Sequence, residues 1–300
     1  MNMDFKSAKE LLDLCEENQL PISEVMRQRE CILGEVPRDA VDHRMAKAWE
    51  IMHASATQPL KKPIKSMGGL IGGEAKKLET HYNKKKNICG DVLQKAMTYA
   101  MAVLEVNASM GLIVAAPTAG SAGVVPGMML ALQECYRISD QRIVDALFNA
   151  GAVGYLAMRN ATVAGAVGGC QAEVGAASGM AAAALVDIKG GTAEQCAEAF
   201  AMALTNLEGL VCDPVAGLVE IPCIKRNVIG AMNAVSAADM ALAGVVGHIP
   251  ADEVIDAMAE VGNAMSKDLR ETGIGGLAGT PTGCKIAEIV TMSADTEEED

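Results

Sequence analysis

Residues 161–186 read "ATVAGAVGGCQAEVGAASGMAAAALV", and the packing of this run decides the fold. Glycine and alanine at such density allow two things. Helix backbones can approach one another closely, or backbone N–H groups can come up against a ligand. The rest of the chain favours helices around it. Half of the 300 residues are hydrophobic but only 3% are aromatic, so the apolar content is mostly Ala, Val, Leu, Ile and Met. Alanine and methionine suit packed helices, whereas strands draw on β-branched and aromatic residues. No stretch alternates cleanly over several turns. The expectation is an all-α, predominantly helical domain with Gly/Ala-rich close-packed helices and irregular loops.

Helical periodicity places the elements outward from there. Phe5, Ala8, Leu11, Leu12 and Cys15 recur on one face after Asp4. Pro21 opens a second segment running to about Cys31, and a third covers 39–56; together they form an N-terminal helical segment over about 1–57. With two prolines and four glycines, 57–78 reads as irregular. Helical patterns follow at 91–109, 140–158, 228–246 and 251–267. "GGTAEQCAEAFAMALTNLEG" carries a capping box, Thr192 with Gln195, and a terminal glycine. No boundary divides the chain, so residues 1–300 are expected to be one domain, with 295–300 a flexible acidic tail.

Charge excludes several functions. The formal net charge is −13 and the pI is near 4.8; no basic run is interleaved with aromatics, so no nucleic-acid partner is expected. Lys84–Lys86 is the densest basic patch, either a solvated face or a docking point for something acidic. The acidic N-terminus does not fit a signal peptide. Residues 112–132 lack charges but contain two prolines, three glycines, Thr118 and Ser121, which argues for a buried loop entering a helix rather than a membrane span. A cytoplasmic protein is expected.

Nine cysteines stand at 15, 31, 89, 135, 170, 196, 212, 223 and 284. An odd count without compact spacing does not suit a disulfide scaffold. In a reducing compartment they are buried small hydrophobes, or metal and redox groups. Cys170, Cys212 and Cys223 each lie within two residues of a glycine or proline, where the chain changes direction. "LVCDPVAGLVEIPC" (210–223) also sets an acid and a lone glutamate between two of them. Three thiolates suit an iron–sulfur cluster with one iron left open as a Lewis acid; zinc lacks its usual closely spaced ligand pairs here. Spacing alone leaves filler, metal and disulfide all open.

Four blocks narrow the choice: "EVNASMGLIVAAPTAGSAGVVPG" (105–127), "GGCQAEVGAASGMAAAAL" (168–185), "VCDPVAGLVEIPCIKRN" (211–227) and "ETGIGGLAGTPTG" (271–283). Together they resemble the α chain of the bacterial iron–sulfur-dependent L-serine dehydratases, over about residues 60–285. The resemblance implies a [4Fe–4S] cluster on Cys170, Cys212 and Cys223, and conversion of L-serine to pyruvate and ammonia. The open iron would stabilise charge on the substrate hydroxyl and carboxylate. Asn107, Thr118, Gly120 and Ser121 become substrate-pocket candidates, with packed turn residues as the alternative. Lys77 is a candidate for the substrate carboxylate or a surface lysine. Glu173 and Asp213 flank ligands and could orient the site or cap helices. Cys284, after "GGLAGTPTG", is a candidate transient or regulatory ligand. Pyridoxal phosphate is not expected, because "SMGGLIGGEAKK" lacks the β–α context of a phosphate loop. No general base is visible: His43, His53, His81 and His248 have no distinctive setting. The family's single-chain members carry a "SHT" segment in a region this chain does not contain, so a β subunit is expected to complete the site in a hetero-oligomer. The competing readings are a related cluster-dependent L-cysteine desulfidase, an iron–sulfur sensor without catalysis, and a metal-free helical assembly subunit.

Overall fold

A computed structural model describes residues 3–297, and among these there are helices, turns and one isolated bridge but no β-strand. The helices are α1 (Ala8–Asn18), α2 (Ile22–Leu33), α3 (Arg38–Lys61), α4 (Glu74–Asn83), α5 (Asp91–Ala108), α6 (Val124–Tyr136), α7 (Asp140–Asn160), α8 (Gly165–Gly168), α9 (Ala176–Ile188), α10 (Ala193–Thr205), α11 (Cys223–Leu242), α12 (Ala251–Ala264) and α13 (Pro281–Glu297). The molecule is all-α, as its composition predicts.

The Gly/Ala run is the centre. Every residue of α9 from Ala176 to Asp187 is buried, with α6, α7, α10 and α11 packed around it. Its side chains are small, so its stability comes from close contact over its length rather than from a few large groups. Gly179 shows how close: a Cβ there would lie 2.6 Å from the Phe200 ring and 3.1 Å from the Phe200 carbonyl oxygen on α10. The same device joins α5 to α6, where a Cβ on Gly127 would meet the Ala100 backbone nitrogen at 2.8 Å. The N-terminal half of the run behaves differently. After α8 the chain passes through Gly169 in the left-handed region and makes a π-helical turn over 171–175 before α9 begins. The close helix packing that the run allows is therefore seen in its second half, while its first half is irregular.

The N-terminal helices are bound to this core by charge as well as by apolar contact. Arg27 is 3% exposed, pairs with Asp42 (2.6 Å), Glu24 (3.0 Å) and Asp145, and lies over the Phe148 ring at 4.4 Å. Arg29 stacks on Tyr155 at 4.0 Å. The Thr192–Gln195 capping box forms with both reciprocal bonds, 3.2 and 3.0 Å.

Some boundaries differ from the sequence reading. α3 continues to Lys61 with Pro59 in its last turn, so the irregular part of 57–78 shrinks to 62–73. α11 starts at Cys223 rather than near 228, with Pro222 as its N-cap. The 112–132 run, read as a buried loop entering a helix, is exposed at its start, where Leu112 is 71% accessible; continuous burial begins at Ser121. The expected tail at 295–300 lies partly in α13, which reaches Glu297, and residues 298–300 fall outside the described part. No helix among the described residues is long and apolar enough to cross a membrane.

Candidate active site

Three chain segments meet beside the π-helical turn. Residues 169–175 supply Cys170 and Glu173, and Gln171 pins them: its N–H donates to the Leu210 carbonyl (3.0 Å), its Nε2 to the Met258 carbonyl (2.9 Å), and its Oε1 accepts from Gly209 N–H (2.8 Å). Cys212 is held by a parallel bridge with the segment 269–271, donating to the Leu269 carbonyl (2.8 Å) and accepting from Glu271 N–H (2.7 Å). The chain then folds back through Ala216, in the left-handed region, and the Val215 N–H to Ile221 carbonyl bond (2.8 Å) delivers Cys223 as the first residue of α11.

The outcome is a buried knot of sulfur and oxygen. Ligand atoms of Cys170, Glu173 and Cys212 all lie within 4.8 Å of one another, with Glu173 Oε2 at 3.8 Å from Cys170 Sγ and 3.7 Å from Cys212 Sγ. Cys223 is outside that tight trio but is 6% exposed and close enough to feel the charges of Cys170 and Glu173. All three cysteines are free thiols. Arg226, one turn into α11, reaches the same knot: its Nη1 is 3.6 Å from Cys170 Sγ and donates to the Val211 carbonyl (2.8 Å), while Nη2 pairs with Asp213 at 2.8 Å.

Protonation follows from these contacts. Hydrogen bonding with Cys170, then burial, raises the Cys212 thiol well above the ordinary range. Burial pushes Cys223 up to about 12. Burial likewise raises the Glu173 carboxyl; a hydrogen bond from Thr118 opposes this and the neighbouring Glu271 charge adds to it. Buried thiols of this kind stay neutral at pH 7 unless a cation takes the proton's place, and metal coordination does so outright. Two sulfurs and a carboxylate oxygen in contact, with a third buried thiol adjacent and a guanidinium to offset negative charge, fit a thiolate-bound iron–sulfur group.

A hydroxyl-bearing loop faces the knot. Thr118 Oγ1 donates to Glu173 Oε1 at 2.7 Å and lies 3.1 Å from Ser121 Oγ. Gly120 fits between: a Cβ there would be 2.8 Å from Glu173 Oε1. Asn227 locks the loop to α11, donating to the carbonyls of Gly120 (2.7 Å) and Cys223 (2.9 Å) and accepting from Gly123 N–H (2.9 Å). Asn107 sits half-buried at the end of α5, its carbonyl accepting from Met110 N–H at 3.0 Å. Lys77 lies elsewhere, in a basic groove on α4 with Lys76, His81, Lys84 and Lys86, its ammonium 3.3 Å from Glu74. Cys284 is exposed in the first turn of α13, 3.7 Å from the Ala278 carbonyl, on a helix that packs against the 215–217 turn. His43 and His53 are on α3, His81 on α4 and His248 in the turn after α11.

Arg226, Asn227 and Glu271 were not singled out from sequence, and Glu220 was noted only as the lone glutamate between Cys212 and Cys223. A signal did exist for two of them. A charged "KR" pair follows Cys223 after one intervening residue, Ile224, and Glu220 is an isolated acid in an apolar run.

An all-α chain that brings two buried free thiols and a carboxylate to one point, with an arginine beside them, presents a group of side chains that could hold a metal ion. The profile of the serine dehydratase alpha chain family matches residues 17–278. The chain belongs to that family, which is a family of lyases. It is 50% identical over 282 residues to the "Probable L-serine dehydratase, alpha chain" of Bacillus subtilis (strain 168), covering 94% of each protein. To the L-serine dehydratase alpha chain of Peptoniphilus asaccharolyticus it is 46% identical over 282 residues, 94% of this chain and 97% of that one. The L-serine dehydratase of Helicobacter pylori (strain ATCC 700392 / 26695) is 39% identical over 284 residues; these are 92% of this chain and 62% of that longer protein.

Proposed function

We propose that this chain is the alpha subunit of a cytoplasmic L-serine dehydratase that converts L-serine to pyruvate and ammonia, and that Cys170, Cys212 and Cys223 hold a [4Fe–4S] cluster. The convergence of Cys170 and Cys212 on Glu173, 42 residues apart in sequence yet within 4.8 Å, is the observation that carries the reading. When bound, the cluster supplies an open iron, a Lewis acid suited to an amino acid's hydroxyl and carboxylate.

The chain's own residues do the positioning. Thr118 and Ser121 offer hydroxyls at the edge of the knot, and Gly120, lacking a Cβ, lets their loop close directly onto Glu173. Glu173, held in place by the Thr118 hydroxyl, presents a carboxylate that suits the substrate's ammonium. Arg226 offsets the negative charge that thiolates and substrate carboxylate bring together. The burial of Cys170, Cys212 and Glu173 keeps bulk water away, which strengthens each of these interactions. Loss of the Cα proton and of hydroxide gives aminoacrylate, which tautomerises to the imine and is hydrolysed to pyruvate and ammonia.

The base that takes the Cα proton is assigned to a partner β chain, in line with the two relatives named as alpha chains and the longer single-chain relative. The chain should accordingly be nearly inactive alone. Anaerobic co-production with the β chain, followed by iron and sulfide analysis and product assay, tests the reading. Cluster-bearing complex that releases pyruvate from L-serine is the expected result. Sulfide release from L-cysteine in preference to pyruvate from L-serine would replace the reaction, and Cys212→Ser that keeps both its cluster and its activity would remove the ligand set.

A further inference from the structure

Glu220 is 2% exposed and lies between the two cysteines of the 210–223 segment. Its carboxylate collects a turn from a distant part of the chain: Ser66 Oγ donates to Oε2 at 2.6 Å, Leu70 N–H to Oε2 at 3.1 Å, and Gly68 N–H to Oε1 at 2.8 Å. All three donors are neutral, and no cation is among them. A buried carboxylate satisfied only by neutral donors is a costly way to join two loops. An apolar contact would do it more cheaply if stability were all that mattered.

The turn is itself fixed at a second point, because Met67 N–H donates to the Ala108 carbonyl at 2.9 Å, one residue past Asn107 on α5. The fit is close as well. A Cβ on Gly68 would lie 2.3 Å from Leu218 Cδ1 and 2.9 Å from Glu220 Oε1. At the other end of the segment Asp213 plays the matching part, accepting from Leu277 N–H at 2.7 Å and pairing with Arg226. Two buried acids therefore tie the ends of the cysteine segment to two glycine-rich stretches, "SMGGLIGG" and "GIGGLAG".

We infer that Glu220 is a positioning residue: by clamping the 66–70 turn onto the cysteine segment, it presets the place of Cys223 relative to Cys170 and Cys212 and so governs how tightly the three thiols retain iron. The inference rests on the ligand set of the proposed function. It assigns Glu220 no contact with substrate or metal.

The experiment uses the full chain, reconstituted anaerobically with ferrous iron and sulfide. Loss of the sulfur-to-iron absorption is followed after adding a chelator, beside unfolding of the cluster-free chain. Glu220→Gln keeps the volume but replaces one acceptor with a donor; it should lose its cluster about ten-fold faster. Gly68→Ala, which wedges the turn away with the carboxylate intact, and Ser66→Ala should shift the rate in the same direction. Ser66→Ala should add little on top of Glu220→Gln, because both cut the same clamp. Glu220→Asp should restore part of the retention. If Glu220→Gln fails to fold, the Gly68 and Ser66 variants carry the test. Variants that lower the unfolding midpoint while losing cluster at the parent rate would overturn the inference and leave the proposed function standing. A parent chain that takes up no iron would overturn both.

Discussion

Glu105 is fully buried on α5, and its two oxygens are unequally served. Oε1 accepts from Ala75 N–H at 2.9 Å, capping the start of α4, while Oε2 has no hydrogen-bond partner among the described residues. Burial, the largest influence, raises its pKa above 4.5, with the Ala75 bond opposing. A carboxyl raised on folding binds protons more readily folded than unfolded. Its protonated form therefore supports the fold at low pH, and that support is lost as pH rises from 4.5 through the folded-state value. Glu105→Gln should accordingly gain stability relative to the parent as pH rises from about 5 to 7.5, read from urea unfolding at each pH. A difference that stays constant with pH would show that the carboxyl is not the group responsible. Arg226 gives the opposite case, a charge whose partners are already in place. Its side chain is 16% exposed and that of Asp213 only 4%. Arg226→Gln strands a buried carboxylate beside a thiol knot and should cost about 3 kcal/mol in denaturant unfolding of the cluster-free chain. A loss below about 0.5 kcal/mol would mean the pair behaves like a surface ion pair.

At the scale of elements, what glycine does depends on what faces it. Gly151 and Gly179 both sit inside long helices, α7 and α9, yet beyond its own stretch of helix backbone no heavy atom stands within 4 Å of the Cβ position at Gly151, whereas Gly179 abuts Phe200. Gly151→Ala should stabilise the protein by about 0.5–1 kcal/mol, through the reduced freedom of the unfolded chain and better helix propensity. Gly179→Ala should destabilise it by about 1–3 kcal/mol, because α9 and α10 must separate. Thermal or denaturant unfolding of the two variants gives the signs, and equal signs would contradict the packing described for α9. The helices themselves were largely legible in the sequence, because apolar periodicity and caps such as Thr192–Gln195 act locally. The failures came where local signals conflict. Pro59 suggested a break, but a proline in the last turn of α3 costs little because that helix is about to end. "EIPC" looked like loop, but Pro222 serves as N-cap to α11. The exposed start of the 112–132 run misled because apolar composition was read as burial.

For the molecule as a whole, the all-α architecture followed from composition, and the centrality of the Gly/Ala run from its own residue types. The site was legible in its donors and not in its supports. Cys170, Cys212, Thr118 and Gly120, which the structure brings together around Glu173, came from sequence blocks that resemble the serine dehydratase alpha chains. Arg226 and Glu220 carried only a weak local signal and Asn227 none, because contacts such as Asn227 with Gly120 and Glu220 with Ser66 join segments more than 100 residues apart. Asn107 and Lys77, drawn from the same reading, stand at the end of α5 and in the basic groove on α4, so their part in substrate binding is a matter for kinetics. The most direct test of the whole account is iron Mössbauer spectroscopy of the chain co-produced anaerobically with its β partner, recorded before and after addition of L-serine. The account predicts a four-iron cluster in which one iron alone changes its signal with substrate, and loss of that cluster in Cys170→Ser, Cys212→Ser and Cys223→Ser alike. Iron that is absent, or a spectrum indifferent to L-serine, would contradict it.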